Sequence, residues 1–181
     1  MHADLKPDNI LVSFDGTKIT DLKLIDFGSA FIFSEARSIP ATTPEYLAPE
    51  VLSFMDKWSK GAMSSSKEVF KKQEAWSFDM WSLGVILLEI MTGFPVWLSY
   101  KGKCVTKKGR QIMANGIFGV SGWNNQKIIK IQTKIHQNFF AMVKKYDTQG
   151  LDQDEGFLEL LLSLLCPNPK HRLSPWEALD L

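Results

Sequence analysis

The first nine residues of the chain read MHADLKPDN (1–9), and a short apolar run, ILV (10–12), follows at once. A second alternating run, LKLI (22–25), ends in the triplet DFG (26–28). The pair Asp15-Gly16 lies between the two runs and suits a tight turn. This order predicts a β-hairpin with polar groups at its open end, because the two outer ends of an antiparallel pair lie side by side.

The polar side chains at that open end are two carboxylates, a lysine and an amide. Asp4, Lys6 and Asn9 precede the first strand, and Asp26 follows the second. Carboxylate and amide oxygens are the ligands that Mg²⁺ prefers in proteins. A further carboxylate can accept a proton, and a lysine can stabilise developing negative charge. The sequence therefore indicates the groups that phosphoryl transfer requires.

Composition limits the remaining classes of protein. The chain has 181 residues, 45% of them hydrophobic, which is enough for one well-packed domain. Its net charge of +1 gives no reason to expect nucleic acid as a partner, and Cys104 and Cys166 form no metal-ligand pattern. The longest strongly apolar run, 83–91, is shorter than the about 20 residues that span a bilayer. With no basic-then-apolar leader at the start, we expect an intracellular protein, cytoplasmic before nuclear, without membrane binding.

The rest of the chain predicts an α+β domain that is mainly helical. Residues 78–91 are apolar on nearly every side, which is typical of a central buried helix, and Gly93 can end it. A second long helix is expected over 124–146, where apolar residues repeat at three- and four-residue spacing. A third apolar run covers 157–165. The last helix starts at SPWE (174–177), with an N-cap serine, a proline and the glutamate of a capping box.

Three stretches lack this periodicity and are expected to be loops. Residues 29–49 are rich in serine, threonine and proline, and residues 57–72 are polar with several lysines. Residues 101–110 are basic. This basic loop could dock an acidic partner, although a solvated loop is the simpler interpretation.

Five motifs, taken in order, resemble the C-terminal lobe of eukaryotic protein kinases. They are similar to the catalytic loop, the magnesium-binding triplet, the end of the activation segment, the start of the central helix and the closing arginine motif. In this chain they read HADLKPDN (2–9), DFG (26–28), TPEYLAPE (43–50), FDMWSLG (78–84) and HRLS (171–174). The resemblance implies a kinase-like C-lobe over residues 1–181 in which residues 29–50 are the activation segment.

The resemblance implies a catalytic role for the polar residues of the hairpin. Asp4 would accept or orient the proton of the substrate hydroxyl, and Lys6 would stabilise charge on the γ-phosphate of ATP. Asn9 and Asp26 would hold the Mg²⁺ that bridges the ATP phosphates. Lysine at position 6 resembles the serine/threonine class. ATP and Mg²⁺ are therefore the expected cofactors, and a protein hydroxyl is the expected substrate.

Four other residues match structural positions of the family. Thr43 resembles the threonine that contacts the aspartate and lysine of the catalytic loop. Glu50 and Arg172 resemble a buried ion pair that anchors the activation segment to the helical lobe. Asp79 resembles the residue that bonds to the backbone of the catalytic loop.

Two departures from the family pattern concern regulation and partner choice. Ala3 replaces an arginine that normally pairs with a phosphate on the activation segment. We therefore expect activity that does not depend on phosphorylation of the segment's hydroxyl residues, namely Ser34, Ser38, Thr42 and Thr43. The interval between Glu50 and Asp79 is longer than the family pattern, so residues 54–76 are expected to contain an inserted loop near the substrate side.

The third departure is that the motifs begin with the catalytic loop at His2, so we expect the family's N-terminal lobe to be missing. The 181 residues contain neither the glycine-rich loop nor the strand lysine that holds ATP phosphates. We expect this fragment alone to be inactive, with an apolar face left open to a partner. Methionine suits the hydrophobic position before the histidine, so a gene read from an internal methionine would produce this chain. The alternative is a non-catalytic pseudokinase or truncated interaction module, which magnesium-dependent ATP affinity would distinguish.

Overall fold

The computed structural model describes residues 1–35, 43–59, 74–93, 101–105, 111–115 and 125–181. Within these residues, two antiparallel hairpins accompany a set of helices, and short 3-10 turns join some of them. The elements are β1 (Ile10–Asp15), β2 (Lys18–Leu24), α1 (Pro49–Ser59), α2 (Ser77–Thr92), β3 (Lys101–Val105), β4 (Gln111–Asn115), α3 (Asn125–Gln137), α4 (Phe139–Tyr146), α5 (Glu155–Leu164) and α6 (Pro175–Leu179). The predicted mainly helical domain with a small antiparallel hairpin is confirmed.

The first hairpin pairs Ile10 with Leu24 and continues to the turn, where Gly16 adopts φ 58°. This positive φ suits glycine, because a Cβ makes the left-handed region costly for most other residues. Beyond the strands, the backbone N–H of Ile25 donates to the carbonyl of Asn9 at 3.0 Å. The residues just outside both strands are therefore held together, so Asn9 lies at the same end of the hairpin as Asp26.

Helix α2 forms the centre of the core, as its apolar pattern predicts. Trp81 and Leu88 are buried in a cluster to which α1, α4 and α5 also contribute. Gly84 allows α5 to approach closely, because a Cβ at this position would lie 2.9 Å from the Leu164 side chain. The helix ends at Gly93, whose φ is 73° and whose N–H donates to the Glu89 carbonyl at 2.8 Å. The predicted glycine cap is confirmed.

The predicted capping box at the start of α6 is also confirmed. The N–H of Glu177 donates to Oγ of Ser174 at 3.3 Å, and the N–H of Ser174 donates to Oε2 of Glu177 at 2.8 Å. These two bonds satisfy donors that the first turn of a helix otherwise leaves without partners.

The predicted single helix over 124–146 is wrong, because the structure breaks it at Asn138. That residue has φ −115° and ψ 26°, so α3 ends at Gln137 and α4 starts at Phe139. Both pieces keep helical periodicity, and an interruption of one residue between them leaves little trace in the pattern. Beyond the break, Phe139 and Val143 of α4 are buried in the core.

Two predicted loops also have different bounds. Residues 54–59 are helical, because α1 continues to Ser59 and buries Phe54. The next part of that predicted loop, 60–73, lies outside the described residues. Residues 101–105 are a strand rather than a loop, since β3 pairs with β4 in register from Lys101 and Asn115 to Val105 and Gln111. Residues 106–110 of the basic stretch lie outside the described part. No helix within the described ranges is both long and apolar enough to span a bilayer.

Candidate active site

The backbone of the predicted catalytic loop is attached to α2 through Asp79. The N–H of His2 donates to its Oδ2 at 2.8 Å, and the N–H of Ala3 donates to its Oδ1 at 2.9 Å. Ala3 has φ 65°, a left-handed conformation that costs a non-glycine residue about 1–2 kcal/mol. The two charge-assisted bonds that Asp79 accepts can offset that cost. His2 is buried, and its Nε2 donates to the Ile25 carbonyl at 3.0 Å, which ties the loop to the end of β2 as well.

Asp4 lies in a cluster with Lys6, Thr43 and Asn9. Nζ of Lys6 lies 2.8 Å from Oδ2 of Asp4 and 2.7 Å from Oγ1 of Thr43. The backbone N–H of Thr43 donates to Oδ1 of Asp4 at 2.9 Å. The side-chain amide of Asn9 donates to the Asp4 carbonyl at 2.8 Å and to Oδ2 at 3.3 Å. Both carboxylate oxygens are therefore held in place by surrounding donors.

The electrostatics of the cluster keep Asp4 and Lys6 charged. Burial by itself raises the pKa of the Asp4 carboxyl. The hydrogen bonds from Lys6 and Thr43 together lower this pKa by more than burial raises it, so the pKa lies below its usual value. The hydrogen bond to Asp4 raises the pKa of Lys6, and the charges of Asp8 and Asp26 add to the effect. At neutral pH the site therefore presents a carboxylate beside an ammonium group.

Asn9 and Asp26 offer oxygen atoms suited to a magnesium ion. The Asn9 side-chain nitrogen faces Asp4, so its Oδ1 is the atom left for a cation. Asp26 has φ 59°, and its Oδ1 accepts the N–H of Gly28 at 3.2 Å. Magnesium commonly takes one or two carboxylates and completes its shell with water and phosphate oxygens. No cluster of three or more His, Cys, Asp or Glu side chains suited to a metal occurs in the described ranges. Asn9 and Asp26 are too few to hold a metal ion alone, so these two residues fit a magnesium ion that is bound together with a nucleotide.

Glu50 and Arg172 form a two-pronged ion pair behind the site. The NH1 and NH2 groups of Arg172 lie 2.7 and 2.9 Å from the two carboxylate oxygens of Glu50. The same guanidinium donates to the carbonyls of Cys166 and Ser77. The pair joins the first turn of α1 to the segment before α6, across 122 positions of sequence. It thereby anchors the end of the predicted activation segment to the helical core.

The segment after Thr43 has further anchors that the sequence analysis did not single out. The hydroxyl of Tyr46 donates to Oε2 of Glu89 at 3.0 Å, and Oγ of Ser82 donates to the Tyr46 carbonyl at 2.8 Å. Nε2 of Gln132 donates to the carbonyl of Leu47 at 2.9 Å. Burial raises the pKa of the Tyr46 phenol, and the Glu89 carboxylate raises it further. Gln132 is a polar residue within the apolar pattern of α3. This interruption is the sequence signal that could have marked Gln132 as a functional residue. Residues 36–42, with Ser38 and Thr42, lie outside the described part.

An apolar surface lies beside the candidate site. The hairpin exposes large apolar side chains along both strands, and a groove of about 390 Å³ runs between β1 and α2. The groove is lined by Pro7, Ile10, Val12, Ile86, Glu89, Ile90 and Gly93. Exposed apolar surface of this kind commonly marks an interaction face, and the expected partner at an open lobe face stays a prediction.

Comparison with known proteins agrees with the motifs. The protein kinase domain family matches residues 1–181. MAP kinase-activated protein kinase 5 of Homo sapiens is 34% identical over 121 residues, or 65% of this chain and 25% of that protein. Serine/threonine-protein kinase AtPK2/AtPK19 of Arabidopsis thaliana is 38% identical over 110 residues, or 59% of this chain and 19% of that protein. Cyclin-dependent kinase 4 of Mus musculus is 30% identical over 184 residues, or 99% of this chain and 51% of that protein. The chain thus spans between 19% and 51% of the length of these relatives, and it belongs to the protein kinase domain family.

Proposed function

We propose that this chain supplies the catalytic loop and the magnesium-binding residues of a protein serine/threonine kinase. The reaction is transfer of the γ-phosphoryl group of ATP to a hydroxyl group of a protein substrate. The observation that carries the proposal is the Asp4 carboxylate, held by Lys6 and by the backbone N–H of Thr43. Phosphoryl transfer depends mainly on positioning and electrostatics, and this cluster provides both.

Each residue of the cluster has one task in this mechanism. Asp4 accepts a hydrogen bond from the substrate hydroxyl and orients its oxygen toward the phosphorus. Its lowered pKa makes it a weak base, so the proton moves to it only as the hydroxyl oxygen becomes acidic during transfer. Lys6 gives two of its three ammonium hydrogens to Asp4 and Thr43 in the described structure, and the third can point to the γ-phosphate.

Asn9 and Asp26 would hold the Mg²⁺ that accompanies ATP. When bound, this ion would neutralise part of the negative charge on the phosphates. The role of this chain is to present the Asn9 oxygen and the Asp26 carboxylate at one end of the hairpin. The bond between Ile25 N–H and the Asn9 carbonyl keeps those two side chains on neighbouring backbone segments.

The 181 residues correspond, in this proposal, to the C-terminal lobe, with residues 29–50 as the activation segment. They lack the glycine-rich loop and strand lysine that position ATP. We therefore expect the chain alone to transfer phosphate poorly, and any longer protein that combines it with these parts to be active. The chain has two cysteines, far apart in sequence, which favours a reducing compartment and therefore a location inside the cell.

The test measures phosphate transfer from labelled ATP to a general protein substrate. It compares the chain with the product of the full reading frame that contains it. Asp4→Asn in the active preparation should lower kcat by about 100-fold or more, the range expected when a group that positions or accepts a proton is lost. Asp21→Asn is the matched control, because Asp21 is an exposed carboxylate of β2 that pairs only with nearby Lys23 and Leu22 N–H in the described part.

An unchanged rate in Asp4→Asn would contradict the proposed mechanism. Absence of magnesium-dependent ATP affinity in both preparations would favour the non-catalytic interaction module instead. A normal rate in Asp21→Asn is required for the comparison to be specific to the site.

A further inference from the structure

Helix α3 contacts the segment that carries Thr43 through the buried side chain of Gln132. This side chain is 1% exposed, and its Nε2 donates to the Leu47 carbonyl at 2.9 Å. Leu47 lies between Thr43 and the start of α1. The bond therefore joins a distant helix, 85 positions away, to the stretch that leads out of the candidate site.

Hydrogen bonds fix the stretch from Thr43 to Leu47 at several points along its backbone. The N–H of Tyr46 donates to the Thr43 carbonyl at 3.1 Å. Ser82 of α2 holds the Tyr46 carbonyl at 2.8 Å, and Gln132 holds the next carbonyl along the chain. Because the turn is short and closed by its own hydrogen bond, displacement of the Leu47 end moves the Thr43 end as well.

Thr43 connects this turn to Asp4 and Lys6. Its N–H donates to Oδ1 of Asp4 at 2.9 Å, and its Oγ1 accepts from Lys6 at 2.7 Å. Hydrogen bonds in proteins weaken once the heavy atoms move beyond about 3.2 Å or out of line. A shift of a few tenths of an ångström at Thr43 would therefore loosen both contacts.

We infer that Gln132 is a positioning residue for Asp4, which it influences through the Leu47 carbonyl and the turn between Tyr46 and Thr43. The inference rests on the proposed function, since it gives Asp4 its role in the reaction. A role in packing alone explains the glutamine less well. The Oε1 atom of Gln132 is buried and has no hydrogen-bond partner among the described residues, which is destabilising. An apolar side chain of similar length would fill the same space without that cost.

The test compares two glutamines of the same helix. Gln132→Met removes the bond to Leu47. Gln126→Met is the matched control, because Nε2 of Gln126 donates to Asp56 of α1 at 2.9 Å and does not contact the turn. Both variants replace glutamine by an apolar side chain of similar length and delete one bond between α3 and another part of the fold.

The measurement is the amide resonance and hydrogen exchange of Thr43 in the 181-residue chain labelled with ¹⁵N-threonine, without nucleotide. Gln132→Met should shift the Thr43 resonance and speed its exchange about tenfold relative to the Thr92 amide of α2. Gln126→Met should leave both unchanged. A general loss of stability would speed the two amides alike, so the difference between Thr43 and Thr92 isolates positioning.

An unchanged Thr43 resonance in folded Gln132→Met would overturn the inference, as would an equal shift in Gln126→Met. If Gln132→Met does not fold, Gln132→Leu replaces it, with the same expected shift. If neither folds while Gln126→Met does, Gln132 is a structural residue and the inference fails. The measurement needs no phosphate transfer, so its failure is distinct from failure of the Asp4→Asn test.

Discussion

Replacing Glu50 by glutamine removes the charge that faces Arg172 while it keeps the shape of the side chain. The Arg172 side chain is 0% exposed and that of Glu50 is 12% exposed. The guanidinium also donates to the carbonyls of Cys166 and Ser77, so it is fully engaged before the substitution. After the substitution, a buried positive charge lacks its counterion, and water has little access to replace it.

The size of the effect follows from this burial. Removal of one partner of a buried ion pair costs about 3–5 kcal/mol. Glutamine retains one oxygen that can accept from Arg172, so the lower end, about 3 kcal/mol, applies to Glu50→Gln. This corresponds to a decrease of about 150-fold in the folding equilibrium constant.

The assay is urea unfolding followed by tryptophan fluorescence, since the Trp81 ring lies 5.1 Å from the Arg172 guanidinium. Asp21→Asn is the control, because the pair of Asp21 with Lys23 is 3.4 Å long and its side chains are 50% and 72% exposed. Exposed pairs contribute only about 0–1 kcal/mol. A loss of less than about 1 kcal/mol in Glu50→Gln, or an equal loss in the control, would refute the argument from burial.

Four other outcomes are expected. Asp147→Ala should lower the free energy of unfolding by about 3 kcal/mol in the urea assay, because this buried carboxylate accepts three backbone N–H groups. Ser174→Ala should cost about 1 kcal/mol in the same assay through loss of the N-cap. Glu89→Gln should lower the pH at which Tyr46 ionises, measured by ultraviolet absorbance against Tyr46→Phe, since the Glu89 charge helps to raise that pKa. Phosphatase treatment should leave the rate of an active preparation unchanged, because Ala3 cannot pair with a phosphate; a large loss of rate would contradict this.

The sign of the Tyr46 effect on stability follows from the direction of its pKa shift. The folded pKa is raised above the value in the unfolded chain. The folded state therefore holds the phenol proton more tightly, and this contribution to stability is fully present below the unfolded pKa. It is lost as the pH rises through the folded pKa.

The sequence by itself determined the local elements of this protein. Alternating runs around Asp15 gave the first hairpin, and an apolar stretch ended by Gly93 gave the central helix. The cap at Ser174 was also readable. These signals depend on side chains within a few positions of one another, so a short window contains all of the relevant physics. The order of the motifs identified the family and named the residues that the structure brings together around Asp4.

Only the tertiary structure decided how distant elements meet. The chain breaks at Asn138, directly before the buried Phe139, while the apolar repeat continues on both sides of the break. Gln132 meets Leu47 across 85 positions of sequence, and Tyr46 meets Glu89 across 43. Such contacts depend on the relative placement of helices, which is set by packing of the whole core and leaves no periodic mark in the chain. Local pattern therefore determines which segments fold into helices and strands, and packing determines which polar groups among them become partners.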